Sequence, residues 1–162
     1  MKAIGLTQGK EALVDDGMYE ELNKYKWRAR CSCGRWYANR WSSMVNGERY
    51  LIHMHRVVLL TPEGMATDHI NGDGLDNRRE NLRLATNSEN NQNRINKRRR
   101  CTSNFKGVYW HNETKKWSSG IRLAGKQIYL GEFISEIQAA LAYDEASKKY
   151  FGEFARTNFI DV

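Results

Sequence analysis

The stretch from Asp68 to Asn90 constrains the fold of this chain more than any other. It reads Asp68-His69-Ile70-Asn71-Gly72-Asp73-Gly74-Leu75-Asp76-Asn77, then Asn81-Leu82-Arg83-Leu84-Ala85-Thr86 and Asn87-Ser88-Glu89-Asn90. Gly supplies left-handed backbone and Asn and Asp bond their own main chain, so the first block is a loop. Leu82, Leu84 and Thr86 suit a short strand after it. Thr86-Asn87-Ser88-Glu89 has capping-box spacing, in which hydroxyl and carboxylate each satisfy an otherwise orphaned amide, so a helix is predicted from Thr86. The product is a β-β-α unit. It sets Asn90 in the first turn of the helix, where it can face Asp68, at the end of the first strand, across a gap of metal-ion size.

These residue types suit phosphodiester hydrolysis. The reaction needs a water deprotonated near neutral pH and a Lewis acid for the charge developing on phosphate and leaving oxygen. A histidine, with an ordinary pKa near ~6.5, suits the first task. Two oxygen ligands, Asp68 and Asn90, suit Mg²⁺ or Mn²⁺ better than Zn²⁺. One metal and one base imply one strand cut per active site. A Ca²⁺ loop over Asn71-Gly72-Asp73-Gly74 fails because Leu75 falls where such a loop needs an oxygen. Asp73, Asp76 and Asn77 are assigned to loop structure. An isolated Asp-His pair would suggest only a surface loop. Here it is joined by Asn81 twelve residues on and Asn90 nine further, with a cap at Thr86.

The segment resembles the HNH nuclease family, whose ββα-metal finger hydrolyses phosphodiesters, and in particular its homing-endonuclease branch. The resemblance implies that His69 is the general base, that Asn81 pins the loop so the base is oriented, and that Asp68 and Asn90 ligate the metal. Asn90 stands where a histidine is more familiar, which names the subgroup. His55-Arg56, Pro62-Glu63-Gly64 and the run Leu75 to Leu82 look like that branch too. The likeness spans Lys2 to Asn96 and is specific from His55 onward.

Charge divides the chain. Nine basic residues and one acid lie between Arg94 and Arg122, an excess of +8 in a chain of 162 residues and formal net charge +7. Such a segment gains free energy by displacing counterions from a polyanion. It has no sustained apolar helical face for a membrane surface. No apolar run is long enough to span a bilayer, and Met1 to Gly5 lacks a secretory signal. Eight of the fourteen asparagines fall between Asn71 and Asn96, just before Lys97-Arg98-Arg99-Arg100. That run reads as a linker or tether that could thread along a groove. Cys31, Cys33 and Cys101, with His53, are a poor zinc set, and three cysteines fit a reducing compartment.

Before the linker, Lys2 to Val14 reads as a hairpin, and Asp15 or Asp16 can cap a brief helix toward Tyr25. Trp27 to Trp41 and Arg49 to Leu60 remain ambiguous between strand and helix. After it, Phe105 to Trp110, Trp117 to Leu123 and Gln127 to Phe133 read as three short strands. A helix begins at Ser135, with Gln138 placed to complete a capping box, and stops at Gly152.

This second half, Asn104 to Ile160, resembles the Apetala-two/ethylene-response-factor DNA-binding domain. The matching residues include Phe105-Lys106-Gly107-Val108, Trp117, Ile121-Arg122, Tyr129-Leu130-Gly131-Glu132-Phe133, Ala139 to Ala146, Gly152, Ala155 and Asn158-Phe159. The resemblance implies a sheet laid in the DNA major groove, with Lys106, Tyr109, His111, Arg122, Gln127 and Tyr129 facing DNA. Arg122 and Gln127 can offer paired donors to base edges, while Lys106 and Lys115 neutralise phosphate. Tyr109 and His111 stand where arginines are common, so base preference does not carry over.

The expectation is an α+β chain: an HNH nuclease domain over 1–93 with its core at about 55–96, a basic linker over 94–104, and a DNA-binding sheet and helix over 105–162. It would nick double-stranded DNA as a monomer with Mg²⁺ or Mn²⁺, in the cytoplasm of a bacterial or phage-infected cell. The alternative is a non-cleaving DNA-binding regulator that keeps the nuclease scaffold.

Overall fold

The structure, a computed structural model, describes residues 1–94 and 102–159. It has an α+β architecture of small antiparallel sheets and divides into two compact units, Met1–Asn90 and Asn91–Val162.

In the first unit, β1 (Lys2–Gly5) and β2 (Glu11–Val14) form the expected hairpin around a 3₁₀ turn at Thr7–Gly9. Helix α1 (Asp16–Leu22) follows, with Asp15 at its N-cap position. The Asp15 carboxylate does not cap it. Its Oδ2 accepts the Arg79 amide at 2.8 Å, tying the helix start to a distant loop. The ambiguous segments resolve into a sheet of β3 (Arg28–Ser32), β4 (Arg35–Trp41) and β5 (Leu51–His53), with α2 (Met54–Leu59) directly after it. Met54 and Val58, one helical turn apart, both enter the core, which is what makes that segment a helix. The β-β-α unit is β6 (Ala66–His69), β7 (Leu82–Ala85) and α3 (Asn87–Gln92). Its capping box closes: the Thr86 amide donates to Glu89 Oε2 at 2.7 Å, and the Glu89 amide to Thr86 Oγ1 at 3.2 Å.

One core joins the hairpin, α1, β4, α2 and β7. Ile4, Val14, Leu22, Trp27, Ala38, Met54, Val58 and Leu82 pack together. Each large aliphatic side chain there contributes about 1.5–3 kcal/mol of burial. The loop after β6 is held against this body from two sides. The Leu13 amide donates to Leu75 O at 2.9 Å, and the Asn77 amide to Leu13 O at 2.8 Å. On the other side, a Cβ on Gly74 would stand 2.4 Å from the Trp36 carbonyl oxygen and 2.6 Å from the Tyr37 ring. Only glycine lets the loop lie this close to β4.

The second unit is a sheet of β8 (Val108–His111), β9 (Lys116–Leu123) and β10 (Lys126–Phe133) backed by α4 (Glu136–Phe151). The first strand starts later than its composition suggests. Gly107 has φ of +78°, and the Phe105 ring turns to pack on Phe159 at 5.3 Å. Ile121 packs with Tyr143, Ala146 and Phe151, and Trp117 against Val108, Ala139 and Ala140. Ser135 caps α4 by accepting the Ile137 amide at 3.3 Å, a bond one residue short of the expected box to Gln138. Buried Asp144 accepts the amides of Asn158 and Phe159, and Asn158 Oδ1 accepts the Lys106 amide at 2.6 Å. Both ends of the unit are thereby fastened to the helix. No helix among the described residues is long and apolar enough to cross a membrane.

Candidate active site

Asp68 and His69 end β6 and are nearly enclosed, at 4% and 6% exposure. Asn81 closes the intervening loop. Its Oδ1 accepts the Asn71 amide at 3.0 Å and its Nδ2 donates to the Asp76 carbonyl at 2.9 Å. One amide side chain, using both of its ends, therefore sets the path of the loop that leaves His69. Within the loop, Asp73 Oδ1 accepts the Leu75 amide, Asn71 Nδ2 donates to Asp76 Oδ2, and Arg78 grips both Asp76 oxygens at 2.8 Å. Those Arg78 bonds hold the Asp76 carboxyl below its ordinary pKa. The loop acids serve loop structure, as expected.

Asp68, His69 and Asn90 line one polar cavity of about 270 Å³. Thr67 and Gly72 of the same unit line it too, and further walls come from outside the unit: Arg35 and Tyr37 on β4, His53 at the end of β5 and His55 on α2. The His55 ring meets His69 edge-on at 5.1 Å and stacks on His53 at 5.2 Å, while Tyr37 lies 6.0 Å from both His55 and His69. Sequence reasoning missed these walls, although His55 lies in the motif that marked the family resemblance. It also missed Arg83, whose Nε and Nη2 both donate to Asp68 Oδ2, at 2.9 and 2.7 Å. Asp68 and Arg83 are direct cross-strand partners, so hairpin register would have revealed the pair.

Burial lowers the pKa of His69, with the Asn77 side chain and the nearby carboxylates of Asp68, Asp73 and Asp76 pulling the other way. The imidazole is thus kept in its neutral, proton-accepting form. His55 is pushed down to about 3, first by burial and then by the charges of its neighbours. His53 is lowered as well, by burial and by Arg56 and Arg30.

These shifts make the first unit acid-sensitive. Below the ordinary histidine value of 6.5 the unfolded chain takes up a proton that folded His55, at about 3, refuses. Stability is therefore complete above that value and is lost as the pH falls. His55 alone costs about 2 kcal/mol at about pH 5, with His53 and His69 adding in the same direction. Urea unfolding at about pH 7.5 and pH 5 reads this loss, and His55→Gln should shrink it by about 2 kcal/mol. An unchanged pH dependence in that variant would contradict the assignment.

The donor set fits a hard divalent ion. Two oxygen-bearing side chains, Asp68 and Asn90, open on the same polar cavity, and Mg²⁺ is commonly held by one or two protein oxygens with water completing its shell. Among the described residues no three His, Cys, Asp or Glu side chains form a group that could hold a metal. Cys31 and Cys33 are exposed thiols, and Cys101 lies outside the described residues.

On the second unit, register puts Tyr109 opposite Ser118, Tyr129 opposite Gly120, and Gln127 opposite Arg122. Tyr109, Arg122, Gln127 and Tyr129 are exposed on the sheet face away from the packed Trp117, Ile121 and Leu123. His111 shares that face at the strand end, and its Nδ1 lies 3.3 Å from Thr114 Oγ1. Lys115 occupies the β8–β9 turn with φ of +52°. Lys106 departs from the group: its Nζ lies 5.9 Å from the Tyr143 ring centroid, beside α4. Lys97, Arg98, Arg99 and Arg100 lie outside the described residues.

Residues 60–92, which hold the loop, Asn81 and the capped helix, match the family model described as HNH endonuclease. Residues 60–92 are therefore similar to an HNH endonuclease domain. Over 98% of its length it is 29% identical to a protein named as an HNH endonuclease in Acanthamoeba polyphaga mimivirus, covering 80% of that protein. Over 36% of its length it is 42% identical to an AP2-like ethylene-responsive transcription factor of Arabidopsis thaliana, and 43% identical to an APETALA2-like protein of Oryza sativa. The chain spans only 12% and 13% of those plant proteins.

Proposed function

We propose that the chain is a site-specific DNA endonuclease of the homing type that nicks one strand of a duplex per active site, working as a monomer. The observation that carries this reading is the convergence of Asp68, His69 and Asn90 on one cavity, with Asn81 bonding both ends of the loop beside it. In the proposed reaction, neutral His69 removes a proton from a water as its oxygen attacks phosphorus. The bond to the leaving oxygen breaks, and that oxygen takes a proton from solvent. Arg83 fixes the carboxylate of Asp68, which with Asn90 would hold Mg²⁺ or Mn²⁺. The bound ion supplies Lewis-acid stabilisation of the charge that builds on phosphate and the leaving oxygen.

The AP2-like sheet serves as the site-selecting unit, with Tyr109, His111, Arg122, Gln127 and Tyr129 toward the groove and Lys97 to Arg100 and Lys115 on phosphates. Lys106 also meets phosphate in this reading, which requires its side chain to leave Tyr143. The setting is the cytoplasm of a bacterial or phage-infected cell. Incubation with supercoiled plasmid should convert it to the open-circular form with Mg²⁺ or Mn²⁺ and leave it intact in EDTA. Immediate linearisation would replace the nicking monomer by a dimer, and binding without cleavage in either metal would favour the non-cleaving regulator.

A further inference from the structure

The charge of the first unit is segregated in a way that net charge hides. Between Glu21 and Glu48 there is no acidic residue, and six Lys or Arg lie in that interval. Two of the six are engaged within the fold: Lys24 pairs with Glu21, and the Arg40 guanidinium stacks 3.9 Å over the Tyr25 ring. Strand register sorts three others. Arg28 is opposite Asn39, Arg30 opposite Tyr37, and Arg35 opposite Ser32, so all three share one face of the sheet. His53, opposite Asn39, is on that face too. The other face carries buried Ala29 and Ala38.

That face ends in the catalytic cavity. Ser32, Arg35, Tyr37 and His53 are cavity-lining residues alongside Asp68, His69 and Asn90. Arg30 lies near enough to His53 for its charge to act on the imidazole. Arg28 and Arg30 are exposed and Arg35 is half-buried, and none of the three makes an ion pair among the described residues. Among the described residues the only carboxylate lining the cavity, Asp68, is already paired with Arg83. An uncompensated guanidinium row leading out of a phosphodiester-hydrolysing site calls for a polyanionic strand.

We propose that Arg35, Arg30 and Arg28 form a phosphate-tracking strip that grips the DNA backbone next to the bond being cut, separately from the second unit. This rests on the nuclease reading above. The row spans four residue steps of β3, from Arg28 to the Ser32 position opposite Arg35, about 13 Å at ~3.3 Å per step. At 3.4 Å of axis per phosphate on one strand, that is the rise of about four nucleotides. Arginine is suited to the task because its planar fork matches phosphate oxygens and stays charged at any working pH. The nuclease unit therefore carries its own hold on the substrate flank, and the second unit need not supply it.

The test compares two charge-matched triple variants of the full chain. One is Arg28→Gln/Arg30→Gln/Arg35→Gln, and the other is Lys2→Gln/Lys24→Gln/Lys149→Gln, which removes three charges elsewhere. Binding to a random-sequence duplex of ~30 base pairs in EDTA is titrated against salt, with circular dichroism confirming the fold. Each lost phosphate contact lowers the slope of log K against log salt by about 0.9. The arginine variant should lose about 2–3 from the slope and the lysine variant less than about 1. Equal losses in both variants, or an unchanged slope in the first, would overturn the strip. Plasmid cleavage by the wild-type chain is scored separately, so failure of the nuclease reading shows there and not in the slopes.

Discussion

His69→Ala is expected to lower DNA cleavage by about 10²–10⁴-fold while leaving duplex affinity and the fold nearly unchanged. Removing the imidazole takes away a base that burial keeps neutral and whose approach angle is set by the Asn81-pinned loop. It costs the bond to the Asn77 side chain but leaves in place the loop bonds that run through Asn71, Asp76 and Asn81. The void left beside Tyr37 and His55 is polar and open to the cavity, so its structural cost is small. Initial nicking rates on supercoiled plasmid, with binding measured in EDTA, check the expectation. Cleavage at the wild-type rate would remove His69 as the base. A parallel loss of binding would make its role structural.

The second large effect concerns stability. Gly107→Ala should destabilise the second unit by about 3 kcal/mol or more. Two costs add. Position 107 has φ of +78°, a left-handed backbone that costs a residue with a Cβ about 1–2 kcal/mol. The new Cβ would also stand 1.9 Å from Tyr143 Cδ2, a position that forces a buried ring to move, and such overpacking costs about 1–3 kcal/mol. A unit of this size has a total stability of roughly 3–9 kcal/mol, so a large fraction disappears. Calorimetry should show a lowered transition for this unit with the first unit unaffected. A melting profile identical to wild type would show that Tyr143 has room to shift.

Much of the β-β-α unit could be read without coordinates because its signals are local. Capping boxes, Asx-type loop bonds and strand alternation act within a few residues, and Thr86, Glu89, Asn71 and Asp73 make the bonds their spacing implies. Where local signals misled, a competitor from elsewhere in the fold took the group. The Asp15 carboxylate went to the Arg79 amide instead of its own helix. The Lys106 ammonium went to the Gln92 carbonyl, beside the Tyr143 ring, instead of joining the sheet face. The first strand of the second unit was shortened because Phe105 packs on Phe159. Counting charge by halves also concealed the acid-free interval between Glu21 and Glu48, since a balanced sum says nothing about which face a strand presents.

By itself the sequence determined the β-β-α unit and its capping box, because turn chemistry, capping and strand alternation are short-range. Only the tertiary structure decided what surrounds His69. Tyr37, His53 and His55 come from separate elements, and Arg83 reaches Asp68 across a hairpin. Those contacts depend on register and on the close approach that Gly74 permits, which are properties of how strands pair rather than of any one stretch of chain.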